Sequence, residues 1–303
     1  MGVSGAPEPI DELVLFDNKV PTKPLSGLDG RTELLTGDVS DPALLREVID
    51  REDISVFHLA SMVSAECEVD FDGALTVNVD GCRSVLEACR ARGSRPRLVF
   101  SSSIAAFGGL TSSEVATDST KLTPATTYGT TKVICELLVN DYTRKGFVDG
   151  RTARLPTVVI RPGRPNAAAS SWVSSIFRER LNGEDCTLPV DPGTRVPIAG
   201  YRTVVENLVR LHELGTLALG PDRALNLPAL ELTAHEMIDG LSAAVQRPLG
   251  RVHFRPEPAV EAIFATWAQH ASSDRALDLG LVRDLGLAEI VAAYLEDFGT
   301  GAR

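Results

Sequence analysis

Two side chains that can move a proton lie four residues apart near the middle of the sequence. Tyr128 and Lys132 begin a stretch whose apolar residues recur with helical spacing, so both are expected on one face of a helix. An ammonium beside a phenol favours the phenolate, which can accept a proton near neutral pH. The pair is suited to take a proton from an alcohol whose carbon gives up a hydride. In isolation, the same spacing also fits a helix-cap tyrosine and a solvated lysine.

The segment before this helix can deliver a hydroxyl to the same substrate oxygen. An apolar run predicted as a strand, Arg97–Phe100, continues into three serines, Ser101–Ser103. A glycine-bearing loop at Phe107–Gly109 and a Thr- and Pro-rich stretch then lead to Tyr128. This order of strand, serines, loop and helix favours a reaction site over a chance helical pair.

Alternation of apolar strands with amphipathic helices fills the first half of the chain. Strands are predicted at residues 13–16, 33–39, 55–61, 97–103 and 152–158, and helices after Asp41, at 74–92 and from 128. Such alternation predicts an α/β fold with a doubly wound parallel sheet covered on both faces.

The pattern changes near residue 165. Apolar runs shorten, and helices are predicted at 172–181, 201–214, 233–244 and 260–269. We therefore predict a cofactor domain at residues 1–164 and a smaller, mixed substrate lobe at 165–303, packed over the carboxyl ends of the strands.

Composition excludes several classes of function. A net charge of −11 argues against a nucleic-acid partner. Apolar runs fall short of a membrane span, and the N-terminal residues lack the basic and apolar parts of a signal peptide. Five cysteines without CxxC spacing favour buried thiols over a structural metal. These features predict a cytoplasmic protein that binds neither nucleic acid nor membrane.

Polar and small residues at the predicted strand ends indicate a dinucleotide site. Asp17 can accept hydrogen bonds from an adenosine ribose and would repel a 2′-phosphate, which favours NAD over NADP. Asp38 and the Val39 backbone could read an adenine edge. Asn78, inside a predicted helix, is either an exposed polar residue or a group that fixes the active-site backbone. The candidate cofactor contacts are Asp17, Asp38, Val39, Leu59, Ala60, Ser61 and Asn78.

The order of these motifs resembles the extended short-chain dehydrogenase/reductase family. It comprises Asp17, Gly37–Val39, His58–Ser61, Asn78–Gly81, Phe100–Ser103, Tyr128–Lys132 and Arg154–Val158. The run from Arg154 to Ser171 is similar to the D-erythronate dehydrogenases of that family, which oxidise C2 of a four-carbon sugar acid with NAD.

The resemblance implies roles for individual residues. Ser103, Tyr128 and Lys132 would be catalytic, with Tyr128 and Lys132 also at the cofactor. Pro156, Thr157 and Val158 would lie along the nicotinamide, and a homodimer would form through the helices at 78–92 and 128–144. A sugar-acid carboxylate needs cationic or amide partners. The candidates are Arg161, Asn166, Ser170, Ser171 and Arg202.

One part of the family pattern is not found. A strand and a glycine-rich turn should precede the ribose-binding Asp by ~20 residues. Asp17 is already near the start, and Gly2–Gly5 neither follows a strand nor precedes a helix. Because that strand is central in the sheet, we expect an unpaired slot, with weakened NAD binding or stability.

Two other functions stay open. A nucleotide-sugar epimerase or dehydratase of the same superfamily would hold NAD tightly with no net redox change. A dehydratase would normally place an acid beside the catalytic serine, and Ile104–Ala105 supplies none. A non-catalytic NAD-binding protein is the third interpretation.

Overall fold

The computed structural model describes residues 10–20, 31–165 and 168–299. Strands and helices alternate through the first half of the chain, and a mixed arrangement follows. The strands are β1 (Leu13–Asp17), β2 (Thr32–Thr36), β3 (Ser55–His58), β4 (Arg97–Ser103), β5 (Val115–Ala116), β6 (Asp149–Leu155), β7 (Thr157–Val159), β8 (Cys186–Leu188), β9 (Arg195–Gly200), β10 (Ala224–Asn226), β11 (Leu230–Thr233), β12 (Val252–Phe254) and β13 (His270–Ala271). The helices are α1 (Pro42–Val48), α2 (Ser64–Val69), α3 (Phe71–Ala74), α4 (Gly81–Arg92), α5 (Thr127–Arg144), α6 (Ser171–Leu181), α7 (Tyr201–Glu213), α8 (Thr216–Leu219), α9 (Ala234–Ala244), α10 (Pro258–Phe264), α11 (Asp274–Asp278) and α12 (Leu287–Phe298).

Parallel strands covered by helices on both faces form the first part of the fold. Four strands pair in the order β10-β6-β4-β3, all parallel. Apolar residues of α1, α4 and α5 form one core with this sheet, whereas α7 and α11 form another with Val99, Ala153 and Leu225. The predicted α/β fold with a doubly wound parallel sheet is confirmed.

β1 and β2 form a separate parallel pair. Within the described residues, β1 hydrogen-bonds only to β2, and β3 hydrogen-bonds only to β4. The edges of β1 and β3 therefore have no strand partner in the described part of the chain.

Pro156 marks the point where the chain passes from one sheet to another. β6 ends at Leu155 in the parallel sheet, and β7 begins at Thr157 in a sheet of order β11-β9-β7. Proline lacks the N–H that would continue a ladder, so a strand is readily interrupted there. The single strand predicted at 152–158 is therefore wrong, because Pro156 divides this segment.

A third core belongs to the mixed lobe. Side chains of α6, β9, α9 and α12 pack around Phe177, Ile198 and Met237. The chain does not stay in this lobe after residue 165, because β10 pairs with β6 and the apolar face of α7 packs on the first sheet. The predicted helix at 260–269 is shorter than expected, since α10 ends at Phe264.

The predicted helix at 74–92 is interrupted by a wider turn. Leu75–Asp80 forms a π-helical segment between α3 and α4. Asn78 lies in this segment, and π-helical turns occur frequently at functional sites. In the described part of the chain, no helix is long and apolar enough to cross a membrane.

Candidate active site

The first turn of α5 is fixed against the segment that follows β4. Thr126 caps the helix by accepting a hydrogen bond from the Gly129 N–H at 3.1 Å. A Cβ at Gly129 would lie 2.1 Å from the Ala105 carbonyl oxygen, so only glycine permits this approach. Tyr128 is therefore brought beside the residues that follow Ser103.

Lys132 lies between α5 and β4 with only 3% of its surface exposed. Its Nζ donates a hydrogen bond to the Ser101 carbonyl at 2.9 Å. The same atom lies 5.4 Å from the centre of the Tyr128 ring and 5.0 Å from that of Phe100. The structure thus places the ammonium and the aromatic ring of Tyr128 on one face of α5.

Ser103 is the last residue of β4 and is partly exposed. Its Oγ accepts a hydrogen bond from the Ala105 N–H at 3.1 Å. Leu155 of β6 pairs with Ser103, so Pro156, Thr157 and Val158 follow at the same carboxyl edge of the sheet. Ligands of open α/β sheets bind outside this edge.

Asn78 joins the loop after β3 to α5. Its Oδ1 accepts hydrogen bonds from Met62 N–H at 2.8 Å and Ser61 Oγ at 3.0 Å. Its Nδ2 donates to Thr131 Oγ1 at 3.0 Å. The side chain is buried, so Asn78 is not the exposed polar residue considered as the alternative. It fixes backbone next to Lys132.

Two carboxylates lie at the ends of β1 and β2. Asp17 is exposed at the end of β1, and its Oδ1 accepts a hydrogen bond from the Lys19 N–H at 2.9 Å. Asp38 follows β2 and accepts hydrogen bonds from the Ser40 N–H and Oγ, both at 2.8 Å. These bonds, the backbone one first, lower the pKa of Asp38.

The remaining predicted cofactor residues differ in exposure. Leu59 and Ala60 are exposed after β3, and Ser61 is partly buried. Val39 is buried against Gly81, so its side chain belongs to the core and only its backbone remains for a ligand.

This donor set fits NAD at both ends of the dinucleotide. The exposed carboxylate of Asp17 suits ribose hydroxyls, and the exposed small residue Ala60 permits close backbone approach. Lys132 has three donors, of which one goes to Ser101. Among the described residues, no three His, Cys, Asp or Glu side chains could share a metal ion.

Arg161 is held by α6 through both its backbone N–H and its backbone carbonyl. Its N–H donates to Ser174 Oγ at 3.1 Å, and its carbonyl accepts from Arg178 Nη1 at 2.8 Å. Its Nη2 donates to Ser170 Oγ at 3.4 Å. Burial lowers the pKa of Arg161, the charge of Arg178 lowers it further, and Tyr128 acts in the opposite direction.

The other substrate candidates have different surroundings. Ser171 begins α6, directly after Ser170. Asn166 lies outside the described residues. Arg202 binds two carboxylates of the C-terminal helix, Asp297 at 2.9 Å and Glu296 at 2.8 Å. Because its guanidinium is already paired, we do not include Arg202 among the proposed substrate contacts.

Sequence reasoning missed a buried ion pair beneath the site, formed by Glu136 of α5 and Arg154 of β6. One signal was available in the sequence. Glu136 lies one turn after Lys132, and Arg154 interrupts an apolar strand pattern. A charge inside a predicted buried strand usually has a partner of opposite charge.

Comparison with known proteins agrees with this geometry. The NAD dependent epimerase/dehydratase family matches residues 8–197. A D-erythronate dehydrogenase from Cupriavidus necator is 44% identical over 99% of this chain and 91% of its own length. One from Haemophilus influenzae is 40% identical over 95% of this chain and 90% of its own.

A solved structure also matches along most of the chain. The nucleoside-diphosphate-sugar epimerase from Agrobacterium tumefaciens superposes with a TM-score of 0.88 at 36% identity, covering 96% of this chain and 86% of that one. The sequence resemblance to the extended short-chain dehydrogenase/reductase family is confirmed. The chain belongs to the NAD dependent epimerase/dehydratase family.

Proposed function

We propose that this protein is an NAD-dependent dehydrogenase that oxidises the C2 hydroxyl of D-erythronate to 2-oxo-D-erythronate. The observation that carries the proposal is the Lys132 ammonium 5.4 Å from the Tyr128 ring centre, at the carboxyl edge of a parallel sheet. Similarity to two D-erythronate dehydrogenases along nearly the whole chain supports this substrate.

Three side chains have separate roles at the alcohol group of the substrate. Tyr128 accepts the proton of the substrate hydroxyl, and Lys132 offsets the negative charge that the phenol carries. Ser103 Oγ donates a hydrogen bond to the substrate oxygen and orients it. Bound NAD supplies the acceptor for the hydride that leaves the substrate carbon.

Cofactor contacts follow from the strand ends. Asp17 would accept hydrogen bonds from the adenosine ribose, and Asp38 with the Val39 backbone would meet the adenine. Leu59, Ala60 and Ser61 would line the middle of the dinucleotide. Asn78 would hold the backbone there, and Pro156, Thr157 and Val158 would lie along the nicotinamide.

Arg161 is the proposed partner of the substrate carboxylate. It is a cation two residues beyond the end of β7, and its backbone is anchored by α6. A guanidinium binds a carboxylate through two parallel hydrogen bonds. Ser170 and Ser171, at the start of α6, and Asn166 complete the proposed set.

The direct test is NADH formation on mixing the protein with NAD and D-erythronate. Stoichiometric NADH is expected with D-erythronate and much less with erythritol, the neutral polyol, because only the acid engages Arg161. Silence with D-erythronate at saturating NAD would overturn the proposed function.

Two arginine variants test the carboxylate contact. Arg161→Ala should raise KM for D-erythronate by roughly tenfold to a hundredfold, the range for losing a hydrogen bond between charged groups. Arg202→Ala should leave KM within about threefold, since Arg202 is paired with Asp297 and Glu296. Equal effects of the two substitutions would contradict the assignment.

A nucleotide-sugar epimerase is the second candidate. The solved epimerase structure at 36% identity favours it. Such an enzyme would exchange hydrogen isotope at a sugar carbon without net NADH, which separates it from the dehydrogenase. A non-catalytic NAD-binding protein would show neither reaction.

The assembly and location of the protein stay predictions. A homodimer through α4 and α5 would appear as twice the chain mass in sedimentation equilibrium. A cytoplasmic location would be seen by fractionation of the source cells. The division into residues 1–164 and 165–303 is likewise proposed.

A further inference from the structure

Glu136 shares a helix face with the two proton-handling residues of α5. Tyr128, Lys132 and Glu136 are spaced by four residues each, so their side chains project along one side. Glu136 is only 3% exposed. A buried carboxylate is costly unless it is paired and hydrogen-bonded, so its partners identify what it does for the fold.

Arg154 of β6 is the main partner. Its Nε lies 3.1 Å from each carboxylate oxygen of Glu136, and its Nη2 lies 2.8 Å from Oε2. Burial opposes the Arg154 charge, yet the bonds to Glu136 and its negative charge raise the pKa of Arg154. The guanidinium also donates to the Asp118 carbonyl at 3.4 Å and stacks 5.2 Å from the Phe107 ring centre. It is therefore held firmly in one orientation.

Ser102 of β4 is the other partner of the carboxylate. Its Oγ donates a short hydrogen bond to Glu136 Oε1. Ser102 directly precedes Ser103, and Arg154 precedes Pro156 by two residues. One carboxylate thus joins α5 and β4, which carry the proposed catalytic phenol, ammonium and hydroxyl, to β6, which leads directly into the proposed nicotinamide-side residues.

We propose that Glu136 is a positioning residue for the reaction, holding Tyr128 and Lys132 at the correct distance from Ser103 through its bonds to Arg154 and Ser102. This inference rests on the proposed function, because its main readout is alcohol oxidation. The physical reason is that reacting groups must be held in near-attack geometry, where a shift of about 1 Å can cost about a hundredfold in rate.

A matched control exists at the other end of β6. Asp149, the first residue of that strand, binds Arg151 at 2.9 Å and Arg223 at 2.5 Å and also accepts from Thr216. This partly buried carboxylate pairs with Arg151 of β6 and with Arg223, directly before β10, at the end of the strands opposite Tyr128. Asp149→Asn removes a paired carboxylate charge without touching the site.

Glu136→Gln should lower kcat about a hundredfold with KM for NAD within about threefold, because the binding residues at β1 and β3 stay in place. Asp149→Asn should lower the melting temperature by a similar amount and leave kcat within about threefold. Equal losses of kcat in the two variants would overturn the proposal.

A double variant separates positioning from folding. Replacing both ions, as in E136Q/R154M, should restore much of the melting temperature, because no unpaired buried charge remains. If Glu136 positions the site, kcat stays low while stability recovers. Recovery of kcat together with the melting temperature would show a purely structural role and sink the inference.

Crystal structures of the wild-type protein and the Glu136→Gln variant provide a readout that does not depend on activity. The distance from Tyr128 Oη to Ser103 Oγ should change by about 1 Å in the variant; an unchanged distance overturns the positioning role. If wild-type protein makes no NADH from D-erythronate, the proposed function fails, and this distance alone decides the role of Glu136.

Discussion

The parallel strands fall into two halves that differ in how tightly they are packed. One half contains β3, β4 and β6, and the other contains β1 and β2. β4 lies between β3 and β6 and buries every residue from Leu98 to Ser102. β1 and β2 pair only with each other among the described residues, and neither strand contains a fully buried residue. Ser103, the last residue of β4, belongs to the well-packed half. Asp17, the last residue of β1, belongs to the open half.

This difference in packing matches the function proposed for each half. Proton and hydride transfer need groups fixed to a fraction of an ångström, which strands bonded on both edges provide. An exposed carboxylate at Asp17 needs only to accept hydrogen bonds from a ligand. The half that carries the proposed catalytic residues is preorganised, and we infer that the proposed cofactor half is ordered further by binding.

Hydrogen exchange gives the largest expected contrast between the halves. Amides of Val99–Ser101 should exchange only on global unfolding, whereas amides of Val14–Phe16 exchange through local opening. For a protein of ordinary stability this means rates differing by about 10⁴-fold or more. Saturating NAD should slow exchange in β1 and leave β4 unchanged. Equal protection of the β1 and β4 amides from exchange in the absence of ligand would contradict the difference between the two halves.

Removing the phenol tests the catalytic half alone. Tyr128→Phe should lower kcat by about 10²–10⁴-fold, the usual contribution of a positioned acid–base group. The melting temperature should hardly change, because Tyr128 is partly exposed. Tyr142→Phe on the same helix is the control, since its hydroxyl bonds to Glu87. That variant should lose about 1 kcal/mol of stability and keep its kcat; a matching loss of kcat would contradict the assignment.

Local patterns in the sequence were sufficient to predict most elements and to propose Ser103, Tyr128 and Lys132 as the catalytic residues. Apolar runs such as Leu13–Phe16 and Arg97–Ser103 reveal strands because backbone period is a local property. The structure confirms the α/β fold that the alternation of strands and helices predicts. The Tyr128 and Lys132 spacing places both side chains together without knowledge of any other element.

Contacts between distant segments were not predictable in this way. Glu136 and Arg154 meet across 18 residues of sequence, and Arg202 reaches Asp297 across 95. Such pairs depend on which helix face meets which strand, and periodicity does not specify that. Arg202 therefore looks like a free cation in the sequence, although the folded chain pairs it with acids of α12.

His58, in the edge strand β3, makes the stability of the protein sensitive to acid. It is 4% exposed and stacks on Phe100 at 5.6 Å, and burial, with the nearby Lys132 charge, lowers the pKa of His58 to about 3. The unfolded chain binds a proton near pH 6.5, whereas the folded protein does not. Stability is therefore complete above pH 6.5 and falls as the pH drops toward 3, by up to about 4 kcal/mol.

Replacing His58 should flatten this pH dependence. His58→Phe keeps the stacking and removes the titrating group, so its melting temperature should fall less than that of the wild type between pH 6.5 and 4. Substituting the exposed His235 by Gln should leave the slope unchanged. A wild-type slope in His58→Phe would show that other groups carry the acid sensitivity.

Asp17 gives the smallest expected effect, and it belongs to the open half. Asp17→Ala removes the carboxylate proposed to bind the adenosine ribose, so KM for NAD should rise roughly tenfold while kcat stays within about twofold. Loss of the negative charge should also narrow the preference for NAD over NADP, because a 2′-phosphate is no longer repelled. Glu33→Ala is the matched control, an exposed acid at the second position of β2. If both substitutions change KM for NAD equally, the net charge of β1 and β2, and not a specific ribose contact, governs binding. A fall in kcat for Asp17→Ala would instead show that the open half also controls geometry at Tyr128, and the division between the two halves would be wrong.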